Sequence, residues 1–236
     1  MSKFKNRITH LRKRIYHLFY KNKKYKTEDE FYTHLFTKNP SWSSPEGNED
    51  ETQRWEEIKS EIEKAGGKDL SILEIGCGRG WLCNKLQAYG NVTGIDPVEP
   101  VINYAKKLFP SVEFHADLLP SFIAKFPGKK YDLVVSTEVI EHVNNKEEFA
   151  QNIHSLLTAN GMLILTTPRL EHYNDFTKAY GIDPGQPVEE WVSEPQLRTL
   201  FEGNGFTVQA VKFFSPLPNT APPVYITQLW VCRKKS

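Results

Sequence analysis

In the stretch LEIGCGRGWL, residues 73–82, glycines stand at 76, 78 and 80, directly behind a short apolar run that carries an acid, Glu74. Glycine at every second position lets the main chain turn sharply and approach a ligand more closely than any Cβ allows. The spacing excludes two common nucleotide sites. A dinucleotide loop wants G-x-G-x-x-G, and Trp81 stands where the last glycine would fall; no G-K-[ST] follows, as a phosphate loop requires. Cys77, inside the run, reads as a small spacer rather than a nucleophile. A second stretch, TEVIEHV at 137–143, sets Glu138, Glu141 and His142 at i, i+3 and i+4. If that segment coils, the three share one face. His142 is then a candidate general base, with Glu141 or Glu138 to orient it; the plainer reading is a neutral ring packed at a sheet edge. Two carboxylates and an imidazole on one face could also hold a divalent metal, which would lower an acceptor's pKa. Two further acids follow short apolar runs: Asp96 before Pro97, and Asp117 before Leu118. Taken alone, the first is a turn former and the second a helix cap.

The elements that must position these residues alternate. Strand-like runs SILEI, NVTGI, VEFH, YDLVVS and MLILTT are separated by helical segments of about ten residues, beginning WLCNKLQAY, VINYAKKLF, LLPSFIAKF and KEEFAQNIHSLL. Such alternation predicts a parallel sheet with helices on both faces. After the helix PQLRTLFEGNGF come TVQAVKFF and VYITQLWVC, joined by SPLPNTAPP, a connection too short for a crossover, so these two strands run antiparallel. The expected fold class is α/β: a doubly wound, seven-stranded, mostly parallel sheet with a reversed last strand, plus an N-terminal helical extension. Residues 70–236 form the sheet domain. Residues 1–69 hold a basic amphipathic helix, the loop NPSWSSPEGNEDE, and a helical cap over 52–65 stopped by Gly66-Gly67.

The chain's 236 residues, 39% of them apolar, suffice for one substantial core. Its net charge of +1 conceals an asymmetry: residues 1–26 carry ten Lys/Arg and no acid, leaving 20 basic against 29 acidic residues, about −9, in the remainder. Phe4, Ile8, Leu11, Ile15 and Leu18 fall at helical spacing within that basic stretch. It would contact a polyanion, either nucleic acid or an anionic membrane, or dock on its own domain or a partner subunit with its lysines solvated. No apolar run approaches a bilayer span, MSKFKNRITH lacks a signal peptide's apolar core, and three unpatterned cysteines suit a reducing compartment, so a cytoplasmic setting is expected.

The run LEIGCGRG, followed by NVTGIDP, FHADLL and YDLVVSTEVIEHV, resembles the class I S-adenosylmethionine-dependent methyltransferases, over about residues 70–235. The resemblance implies S-adenosyl-L-methionine as cofactor, held by Glu74, Gly76, Cys77, Gly78 and Gly80. It implies Asp96 with Pro97 at the ribose hydroxyls, Asp117 with Leu118 at adenine, and Thr137 facing the methyl donor. A carboxylate that accepts two vicinal hydroxyls makes a charge-assisted contact that water displaces poorly. The pattern E-x-x-E-H further resembles that of ubiquinone-pathway O-methyltransferases and small-RNA 2′-O-methyltransferases, both metal users. Those proteins add a downstream histidine where this chain has Pro187, Val188, Glu189 and Glu190, the nearest other candidate being His172, so a metal is not favoured. The expected acceptor is a small-molecule hydroxyl, of a sugar or phenolic natural product. Its pocket would be built from 166–191, where Tyr173, Phe176, Tyr180 and Trp191 interleave with His172, Asp175 and Lys178, and from the region of Trp42. The alternative for those aromatics is a cover on the sheet edge. RNA docked by the basic helix, or a non-catalytic cofactor-binding module at a membrane or partner, are the other functional readings.

Overall fold

A computed structural model describes residues 25, 27–181 and 189–235. Within them the strands are β1 (Leu70–Ile75), β2 (Gly90–Asp96), β3 (Glu113–Ala116), β4 (Tyr131–Thr137), β5 (Leu157–Pro168), β6 (Phe206–Pro216) and β7 (Tyr225–Lys234). They form one seven-stranded sheet in the order β3-β2-β1-β4-β5-β7-β6. Neighbours from β3 to β5 are parallel; β7 lies antiparallel to both β5 and β6. The expected α/β sheet with a reversed last strand is the one observed. The basic helix expected over 1–26, and with it the contact to nucleic acid or membrane, lies outside the described residues but for Tyr25.

Alternation along β1 shows why the sheet is buried on both faces. Ile72 packs in a cluster with Ile58, Ile62, Trp81, Leu86, Leu133 and Ile164, while Leu73 packs in a second cluster with Phe122, Val134, Ile153, Leu165 and Trp230. Each buried aliphatic side chain contributes about 1.5–3 kcal/mol. Ile58 and Ile62 come from α2 (Glu49–Lys64), so this N-terminal helix shares a core with the sheet. Asn48 starts α2 with a capping box that engages Glu51.

Ahead of α2 lies α1 (Glu28–Lys38), a helix the sequence reading did not place; Thr27 caps it and Glu28, Asp29 and Glu30 fill its first turn. α1 packs on α4 (Glu99–Leu108), beside α3 (Trp81–Leu86), at the end of the sheet where β1 and β2 finish. The remaining helices are α5 (Leu119–Lys125), α6 (Lys146–Leu156), α7 (Tyr173–Tyr180) and α8 (Glu194–Gly203). Register pairs Ile75 with both Ile95 and Ser136, so the carboxyl ends of β1, β2 and β4 finish side by side. In open α/β sheets that is where ligands bind.

Candidate active site

β1 ends in the glycine run. Gly76, Gly78 and Gly80 have φ of 71°, 50° and 80°, the left-handed region that other L-residues avoid. The amides of Gly76 and Cys77 both donate to the Ile95 carbonyl, at 2.8 and 3.0 Å, which ties the turn to β2. A Cβ on Gly76 would stand 2.3 Å from Val139, on Gly78 3.0 Å from the Phe36 ring, and on Gly80 2.4 Å from Phe114. The bare backbone therefore makes room for the protein's own side chains.

Two acids anchor this turn. Asp96, buried at the end of β2, accepts from the Gly78 amide at 3.1 Å through one oxygen and from the Val98 amide at 3.0 Å through the other. Burial pushes its pKa up to about 6, against the two amide hydrogen bonds that favour the carboxylate. Glu74 is 2% exposed, and its Oε2 has no hydrogen-bond partner among the described residues. Burial lifts it to about 8, so the group is mostly a neutral acid at neutral pH. An orphaned buried oxygen beside a glycine turn fits a cationic ligand group, such as the α-ammonium of an amino-acid cofactor. Cys77 is raised to about 11 by burial, so it is a packed thiol and not a nucleophile.

Asp117 follows β3, its amide donating to the Asp96 carbonyl at 3.1 Å and its carboxylate paired with Lys125 of α5. Beside it Leu118 is 62% exposed, a large apolar side chain left on the surface at the crevice, while Pro97 is exposed and Thr137 half-buried at the strand ends. Of the cofactor set that the sequence implied, Gly78 is hydrogen-bonded to the Asp96 carboxylate and Asp117 to the Asp96 carbonyl, while Glu74, Gly76, Cys77, Gly80, Pro97, Leu118 and Thr137 stand at or just after the ends of their strands.

The segment at 137–143 differs from the single helical face that the spacing predicted. Glu138 has a left-handed backbone, φ 55°, and the helical turn begins only at Ile140, a short 3-10 turn over Ile140–His142. β5 sets this geometry. The Glu138 amide donates to the Thr166 carbonyl at 2.9 Å, and its carboxylate accepts from the Thr166 hydroxyl at 2.9 Å. Arg54 of α2 stands 3.5 Å from the same carboxylate oxygen. Glu141 turns inward to the Thr167 hydroxyl. Burial, and then the charge of Glu138, holds its carboxyl well above the usual range. His142 is the more open of the pair, its side chain 18% exposed and its Nε2 3.9 Å from Glu141.

The described residues contain no group of three His, Cys, Asp or Glu side chains that could hold a metal ion. Glu138 and Glu141 are each hydrogen-bonded to a threonine of β5, Thr166 and Thr167 respectively. Pro187 and Val188 lie outside the described residues.

α1 supplies what sequence reasoning missed. The Tyr32 ring meets His142 edge-on, 6.3 Å between centroids, and stacks on Phe36, which covers Gly78. Burial and the carboxylates of Glu28, Glu141, Glu189 and Asp96 hold the Tyr32 phenol well above its usual range. Trp42 packs edge-on against Phe36. Tyr173, Phe176 and Tyr180 of α7 pack with Trp191, at 4.7–5.4 Å between ring centroids, and Tyr180 and Trp191 are buried. These aromatics form a small core of their own. The Glu190 amide donates to the Glu141 carbonyl at 2.8 Å, which ties that core to the turn at 140–142.

A doubly wound sheet with a reversed seventh strand, ending in an acid-flanked glycine turn, defines the class I S-adenosylmethionine-dependent methyltransferase fold. A family model described as a methyltransferase domain matches residues 48–211, and the chain belongs to that family. It is 35% identical over 141 residues to the ubiquinone biosynthesis O-methyltransferase of Rickettsia bellii, covering 58% of this chain and 56% of that protein. To the mitochondrial ubiquinone biosynthesis O-methyltransferase of Bos taurus it is 33% identical over 167 residues, 61% of this chain and 44% of that one. The chain thus spans about half the length of the curated relatives it matches. Among solved structures, magnesium protoporphyrin IX methyltransferase from Synechocystis with bound S-adenosylhomocysteine superposes with a TM-score of 0.61. The identity is 22%, covering 78% of this chain and 83% of that one.

Proposed function

We propose that this chain transfers a methyl group from S-adenosylmethionine to a hydroxyl of a small organic molecule. The observation that carries the reading is the aromatic pair Tyr32 and Phe36, which packs Tyr32 against His142 and Phe36 at Gly78 of the glycine turn, where β1, β2 and β4 end side by side. The likeness to ubiquinone-pathway O-methyltransferases supports the choice of oxygen as acceptor.

S-adenosylmethionine supplies a methyl group already activated by the sulfonium charge, which leaves the protein chiefly alignment and proton removal. Asp96, fixed by the Gly78 and Val98 amides, accepts the ribose hydroxyls on its remaining lone pairs. Asp117 accepts from the adenine amino group, and Leu118 offers an apolar face to the base. Glu74 meets the α-ammonium with its orphaned oxygen and gives up its proton in doing so. His142 takes the proton of the acceptor hydroxyl, with Tyr32 packed against its ring. Glu141, hydrogen-bonded to Thr167 and 3.9 Å from the imidazole, supports the turn and adds a carboxyl to its surroundings. Support for a cytoplasmic setting comes from three cysteines that are all free and buried.

The test is a screen of acceptor hydroxyls with isotopically labelled methyl donor, followed by mass analysis of the product. O-methylated product that disappears with His142→Ala is expected. Methyl groups found only on carbon or nitrogen would remove the acceptor assignment.

A further inference from the structure

Arg79 is the one charged residue in the glycine run, and at 2% exposure it is among the most buried side chains of the described residues. Its guanidinium forks onto Glu51, at 2.6 and 2.8 Å, a bidentate pair across 28 positions of sequence. Nε donates to the Ser44 carbonyl at 2.6 Å, and the Glu46 carbonyl lies 3.5 Å from the other arm. Glu51 also accepts from the Asn48 amide at 2.9 Å, so one carboxylate both caps α2 and holds the arginine. Around this pair, residues 39–48 dock on the turn from several sides. The Tyr104 hydroxyl donates to the Ser43 carbonyl at 2.8 Å, and Gly47 lies so close to Trp81 that a Cβ would fall 2.3 Å from the indole.

We infer that Arg79 is a positioning residue: its buried pair with Glu51 joins residues 39–48 to the glycine turn, so that docking of this segment and cofactor occupancy of the turn favour each other. Arg79 stands between Gly78 and Gly80, two residues in left-handed conformation, so its direction depends on the turn's shape. Any turn geometry that swings the guanidinium off Glu51 leaves a buried charge without its partner, which is strongly unfavourable. The pair therefore selects one turn shape, and the N-terminal segment is its other half. Lysine, a point charge without the planar fork, cannot replace all four contacts. A structural pair remote from the turn would have no such consequence for ligand affinity.

The inference rests on the cofactor lying on residues 76–80, as proposed above, and hydrogen exchange on the full chain separates the two. With saturating S-adenosylhomocysteine, amides of both 76–80 and 43–48 are expected to exchange about fivefold or more slowly. Protection at 76–80 alone overturns the coupling. Protection at neither overturns the cofactor placement instead. Titration calorimetry of variants gives a second readout: the Kd for S-adenosylhomocysteine rises by about 5–100-fold in Arg79→Met and Glu51→Gln, with Arg79→Lys between them and the native chain. Folded variants that melt earlier but keep the native Kd would reduce the pair to a structural role. If the variants do not fold, the exchange experiment on the native chain decides alone.

Discussion

Thr167 donates from its hydroxyl to Glu141 at 2.9 Å and so draws that carboxyl toward β5, leaving its other oxygen 3.9 Å from His142 Nε2. The preceding residue does the same for Glu138: Thr166 holds it at 2.9 Å. Successive threonines on one strand thus each hold one of the two acids. Of these three side chains Glu138 is 27% exposed, His142 18% and Glu141 2%, and the imidazole is the one that the Tyr32 ring meets.

His142→Ala should therefore lose about 10²–10⁴ in turnover, the range for a lost general base, while binding S-adenosylhomocysteine with nearly native affinity. Glu141→Gln keeps an acceptor for Thr167 and should cost far less in turnover. Steady-state rates alongside calorimetry separate the two. Equal losses in both variants would assign the proton transfer to the pair rather than to His142.

Asp96→Ala removes the acceptor for the Gly78 and Val98 amides together with that proposed for the ribose. Cofactor affinity should fall by about 1–3 kcal/mol, with a loss of stability because two buried amides lose their partner. Calorimetry gives the first and thermal melting the second. A destabilised variant with undiminished affinity would leave Asp96 a fastener of the turn only.

Strands β1 to β5 were legible as short apolar runs separated by helical segments, and β6 and β7 as an antiparallel pair from the short connection between them. The same held for Gly76, Gly78 and Gly80, whose positive φ is a local demand. The Glu138 conformation was not legible, since it follows from a hydrogen bond to Thr166 on another strand. Nor was the Arg79–Glu51 pair, which joins residues far apart in sequence and becomes specific only once α2 is docked. Helix α1 did leave a signal: Thr27 as cap, three acids in the first turn and Lys38 in the last are helix-start and helix-end chemistry. With that helix placed, Tyr32 and Phe36 fall at i and i+4 on one face, although their contacts with His142 and Gly78 depend on tertiary packing.

Glu74 gives the chain a pH dependence whose sign is fixed by its burial. Its folded pKa, about 8, lies above the ordinary 4.5, so between those values the folded state holds a proton that the unfolded state has lost. Stability from this group is then full below about 4.5, declines as pH rises, and levels off above about 8. Asp96, raised from 3.8 to about 6, acts in the same direction. In Glu74→Gln the Glu74 part vanishes, so the stability of the variant relative to the native chain should grow from pH 5 to pH 9 in denaturant melts. A constant difference would mean that Glu74 ionises normally. At pH 7, binding of S-adenosylhomocysteine should also release protons, seen as a buffer-dependent calorimetric enthalpy that Glu74→Gln abolishes.

Gly76→Ala tests whether the turn is fixed by conformation, by packing, or by both. The new methyl would meet Val139 at 2.3 Å on a backbone with φ 71°, and both effects destabilise. Together they should cost about 2–4 kcal/mol and lower the melting midpoint by roughly 5–15 °C. Val139→Ala removes the clash but leaves the backbone strain. The double variant should therefore recover about 1 kcal/mol relative to the sum of the single effects, the coupling expected of residues in contact. Strict additivity in thermal melts would show that the backbone demand at Gly76 acts alone and that Val139 moves aside freely. A larger recovery, approaching the native midpoint, would instead make close packing of the β4 turn on the glycine run the reason that residue has no side chain.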